Sequence, residues 1–97
     1  KVGFNLPETP VTYQVVEGEI ANAGIHPLYR SRVLDALGFV AGRSRGRPVT
    51  GLQVKRYRGH AGPTDILESF SMQCGGEVHE FRQNVSKPGH PWEHRIK

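Results

Sequence analysis

Apolar and polar positions alternate with period two over residues 11–16, where Val11, Tyr13 and Val15 share one face in a run rich in β-branched residues. That alternation predicts a strand. The period changes over residues 27–37. Tyr29, Val33 and Leu37 recur every fourth position with Leu34 beside them, while Arg30, Arg32 and Asp35 fall largely off the stripe. This predicts an amphipathic helix with Pro27 at its first position, stopped by Gly38, after which Phe39 and Val40 fold back onto the last turn. Period two returns over residues 52–57, with Leu52, Val54 and Arg56 against Gln53, Lys55 and Tyr57. It returns again over residues 65–74, with Ile66, Phe70, Met72 and Cys74 on one face. Gly75-Gly76 suits a two-residue hairpin loop, because both positions accept positive φ at little cost. Folding there opposes Cys74 to Glu77, Met72 to His79 and Phe70 to Phe81. Ser69, Ser71, Glu80 and Arg82 then face the other way, so register and face pattern agree.

The stretches between these runs have the composition of loops. Residues 1–10 read as an irregular lead-in, 41–48 as a loop, 59–64 as a breaker run and 85–97 as an extended tail, ordered only if Trp92 docks. The order strand, helix, then three strands predicts an α+β fold, a small antiparallel sheet of about four strands with one helix packed across one face. Residues 1–84 form the expected single domain. With 97 residues, 36% of them hydrophobic, the chain can bury one core. Its 12 glycines and 7 prolines imply short elements. No run approaches the 18 apolar residues of a membrane span, so no membrane partner is expected. The single cysteine, Cys74, leaves no internal disulfide, and the cytoplasm is the simpler setting.

Charge changes the picture by its placement. The net charge is +4, yet residues 30–58 alone carry eight bases (Arg30, Arg32, Arg43, Arg45, Arg47, Lys55, Arg56 and Arg58) against one acid, Asp35. Most are arginines, whose planar fork matches phosphate better than a lysine does. Nucleic acid, RNA or DNA, is therefore the expected partner. Arg43, Arg45, Arg47, Lys55, Arg56 and Arg58 are the candidate contacts, and Tyr57 is a candidate platform for a base. Within this segment Arg45-Gly46-Arg47-Pro48 resembles the AT-hook of chromatin proteins. The resemblance implies arginines lying along the narrow minor groove of A·T-rich DNA, with the glycine allowing close approach. It covers four to six residues of the chain, and Val49 and Thr50 follow where that family carries another base.

The sequence also fits two other functions. Five histidines (His26, His60, His79, His90 and His94) stand in a short basic chain. A metal-independent ribonuclease would use His79 and His60 as general base and acid, with arginine or lysine on the phosphate. Small ribonuclease toxins also pack a helix on a short antiparallel sheet, which is an analogy of fold alone. Alternatively, a phage or mobile-element component would present its basic face, or the edge strand expected at 11–16, to an acidic protein partner. Cys74, His79, His90 and His94 have nominal zinc spacing, but there is no Cys-x2-Cys pair and Pro91 interrupts the last two, so no metal is expected. No phosphate-binding glycine motif is present, and no cofactor is expected.

Overall fold

The computed structural model describes residues 10–43, 45–58, 63–87 and 91–97. The lead-in at 1–9, Ser44, most of the 59–64 breaker run, His60 and His90 lie outside the described residues. The elements run in the order α1 (Tyr13–Asn22), α2 (Tyr29–Arg43), β1 (Thr50–Tyr57), β2 (Ile66–Cys74), β3 (Glu77–Arg82) and β4 (Glu93–Ile96). The strands form one antiparallel sheet in the order β1-β2-β3-β4. The α+β architecture is as expected, with a helical layer of two helices instead of one.

The difference arises at residues 11–16, which form no strand. Thr12 is an N-cap whose hydroxyl accepts from the Val15 amide at 3.2 Å. Val16 and Ile20, four apart, bury the inner face. The Val11, Tyr13, Val15 alternation is therefore incidental to a helical stripe that begins one residue later. Gly24, at φ 72°, closes α1. Its amide donates to the Ala21 carbonyl, and the Ile25 amide donates to the Ile20 carbonyl, which satisfies the last free carbonyls. Ile20 and Ile25 both enter the core.

Helix α2 also departs from expectation, because it runs through Gly38 to Arg43. Val33, Ala36 and Val40 share its buried face. Burial of Val40 holds the final turns helical and overrides the local preference of Gly38. Phe39 accordingly does not fold back but projects from the helix, 53% exposed.

The β2–β3 hairpin has the expected register, with Gly75 at φ 59° and Gly76 at φ 84°. Two irregularities bend β1 against β2. Gly51, at φ 69°, sits in the first, where β1 carries an extra residue between Thr50 and Gln53. The second leaves Glu68 as an extra residue on β2, opposite the Lys55–Arg56 step. This bulge shifts the parity of β2, so Leu67 is fully buried where Ile66 was expected to be. The segment expected to be a tail supplies β4, which pairs Glu93 with Arg82, His94 with Phe81 and Ile96 with His79. Trp92 packs on the core, 5.6 Å from Phe70, with Arg32 over its ring.

The helices cover one face of the sheet, where Leu52, Phe70, Met72, Cys74, His79 and Phe81 are buried. By strand alternation Lys55, Ser71, Glu80 and Arg82 lie on the uncovered face. Among the described residues no helix is long and apolar enough to cross a membrane.

Candidate nucleic-acid interface

The arginines of the basic segment separate into two groups at opposite ends of β1, about 23 Å apart along the strand. At its N-terminal end, Arg43 closes α2, and Arg45 and Arg47 follow in the turn to β1. All three line one open depression with Cys74, Gly75 and Glu77 of the β2–β3 hairpin. The turn is held in place locally. Arg45 (φ 53°) and Gly46 (φ 85°) both take the left-handed conformation, and Val49 is buried. The Cys74 thiol donates to the Arg47 carbonyl at 3.4 Å, and the Val11 amide donates to the Val49 carbonyl at 2.7 Å. The Arg-Gly-Arg-Pro segment is thus a fixed turn, unlike the extended strip a minor groove would take.

Charge in the depression is only partly compensated. Arg43 Nε donates to Glu77 Oε1 at 3.3 Å. That hydrogen bond holds the Glu77 carboxyl below its ordinary value, helped by the charges of Arg43 and His79 and opposed by desolvation. Arg45 and Arg47 have no acidic partner among the described residues.

The second group is committed to the fold. Arg56 and Arg58 both reach Asp65 Oδ2 at 3.6 Å, and Arg56 also donates to the Ala23 carbonyl at 3.0 Å. Asp65 is itself buried, and its backbone bonds to Gly24 and His26. These arginines therefore fasten the end of α1 to the sheet. Lys55 pairs with Glu68 at 3.4 Å on the uncovered face. Tyr57, 40% exposed, lines a separate depression at this end of the sheet.

Of the two catalytic candidates, His60 lies outside the described residues and His79 has no exposed surface. A ring buried beneath α2 does not reach a phosphate in solution. His79 Nδ1 is 2.9 Å from His94 Nε2, with the rings stacked at 5.1 Å. Its Nε2 lies 3.3 Å from Glu77 Oε1 but makes no hydrogen bond with it. His94 stands on the edge strand between the rings of Phe39 and Phe81. Desolvation, then the charges of His79 and Arg43, holds it below the ordinary histidine value. The partnership of His79 with His94 was missed in the sequence. The period-two run Trp92, His94, Ile96 was the available signal, masked by Pro88 and Pro91. Among the described residues no three His, Cys, Asp or Glu side chains converge as metal ligands.

No protein-family model, no curated protein and no solved structure matches this chain.

Proposed function

We propose that this protein is a small nucleic-acid-binding module whose phosphate contacts are Arg43, Arg45 and Arg47. One observation carries the reading. Arg45 and Arg47 open on the same depression as Arg43, on a turn held rigid by its neighbours, with no acidic partner among the described residues. Arg56 and Arg58, by contrast, share the buried Asp65 carboxylate, and Arg56 also donates to the Ala23 carbonyl. Guanidinium groups left without an acidic partner, on a turn whose backbone is held in place, offer paired donors to a phosphate chain.

The test is fluorescence anisotropy of labelled single- and double-stranded DNA and RNA across a salt series, with oligonucleotide integrity checked on a gel. Three arginine–phosphate contacts give a slope of log affinity against log salt of about −2 on single strands. Absence of binding at low salt overturns the reading, and cleaved RNA replaces it with a nuclease.

A further inference from the structure

A depression of about 510 Å³ lies at the other end of the sheet, where Tyr57, Glu68, Arg82, Gln83, Asn84 and Glu93 come together. It is the right size for a small ligand. Two of its polar groups, Gln83 and Asn84, are each held by one hydrogen bond and keep a second polar atom without a partner among the described residues. Gln83 Nε2 donates to the Leu67 carbonyl at 2.7 Å, which leaves its side-chain oxygen without a donor among the described residues. Asn84 Oδ1 accepts from the Ser86 amide at 2.9 Å, which leaves the amide NH2 free to donate. Glu68, pushed out of register by the bulge in β2, is held by Lys55 at 3.4 Å with its side chain only 19% exposed. Arg82 makes no ion pair with a described residue, and Tyr57 offers a half-exposed ring at the rim.

The geometry points to a guanine subsite: Tyr57 stacks on the base, Glu68 accepts from its adjacent N1–H and N2–H2 donors, the Asn84 amide donates to O6, and Arg82 meets the phosphate of the same nucleotide. The pattern discriminates by chemistry. Adenine presents an acceptor at N1, and uracil a single N–H between two carbonyls, so neither offers a carboxylate two adjacent donors. With the wrong base the partly withdrawn Glu68 carboxylate keeps only its pair with Lys55, which sharpens the discrimination. The base must come out of a duplex for this edge to be free, which makes the ligand single-stranded. As part of a nucleic-acid interface the subsite rests on the reading proposed above; as a guanine site it is read out by the mononucleotide alone.

The experiment is a titration of the isotopically labelled protein with GMP, AMP, CMP and UMP, followed through backbone amide shifts, alongside anisotropy on single-stranded RNA with and without guanines. The expected result is GMP shifting the amides of Tyr57, Arg82 and Asn84, with the other three nucleotides at least about ten-fold weaker. Glu68→Gln abolishes the guanine preference. Tyr57→Ala weakens GMP about ten-fold or more, and Tyr57→Phe restores it, which separates loss of stacking from loss of fold. Equal binding of all four nucleotides, or unmoved amides at millimolar GMP, overturns the subsite. If salt-sensitive RNA binding persists in that case, the arginine reading stands without it. GMP seated here in a protein with no affinity for RNA sinks the arginine reading and leaves the guanine site.

Discussion

Consider two double variants that remove the same charge from the same stretch of sequence, Arg45→Ala/Arg47→Ala and Arg56→Ala/Arg58→Ala. On a single strand each phosphate contact contributes about 0.7 to the salt slope, so loss of Arg45 and Arg47 flattens it by about 1.4. Salt rising from about 50 to 200 mM then weakens the parent roughly seven-fold more than the variant. These side chains have no acidic partner among the described residues, so thermal stability should hold to within about 0.5 kcal/mol. The second variant should behave oppositely. Asp65 is 8% exposed and its carboxylate faces both Arg56 and Arg58, so removing the pair strands a buried charge. That costs about 1–3 kcal/mol, with the salt slope unchanged. In a domain of this size the corresponding fall in Tm is about 4–8 °C per kcal/mol. The assay is anisotropy at four salt concentrations together with thermal melts of all three proteins. Equal flattening of the slope by both variants would refute the division of the arginines into a binding group and a structural group.

Three further outcomes are expected. Phe70→Ala removes a buried ring stacked on Phe81 at 5.0 Å and should cost about 3–5 kcal/mol in chemical denaturation; a loss below about 1 kcal/mol contradicts the packing. Gly51→Ala places a Cβ 3.1 Å from Gln73 Nε2 at φ 69° and should destabilise by about 1–2 kcal/mol, whereas Gly42→Ala, where a Cβ meets nothing within 4 Å, should be neutral or stabilising. Stability should fall on acidification in two windows. His94 is held below its ordinary 6.5 and Glu77 below 4.5, so the unfolded chain takes up protons first, and stability is lost as pH drops below each of those values. Urea midpoints measured from neutral to acid pH check this, and a midpoint that rises below about pH 6 contradicts the assignment of His94.

The hairpin was legible because two independent signals agreed: the Gly75-Gly76 turn and a period-two pattern that matched Phe70 to Phe81. Helix α1 was misread because three apolar residues at positions 11, 13 and 15 imitate a strand, while the decisive pair, Val16 and Ile20, lies mostly beyond that window. Gly38 misplaced the end of α2 because its stop signal is local and the burial of Val40 is not. The convergence of Arg43, Arg45 and Arg47 depends on an α2 that runs to Arg43 and on the hairpin arriving opposite. The commitment of Arg56 and Arg58 depends on Asp65 meeting the end of α1. Neither relation exists in the spacing of residues along the chain.

Each strand of the sheet pairs with its neighbour in sequence, so the meander is built from local contacts. The helical layer is tied to the sheet by the Pro10–Thr50 and Ile25–Asp65 bridges, which span longer separations in sequence. The turn carrying Arg45 and Arg47 lies inside the first of these closures, between α2 and β1. On the proposed function, a state with an intact sheet but detached helices would keep its β-sheet spectrum and lose its affinity for nucleic acid, because the turn is held between α2 and β1.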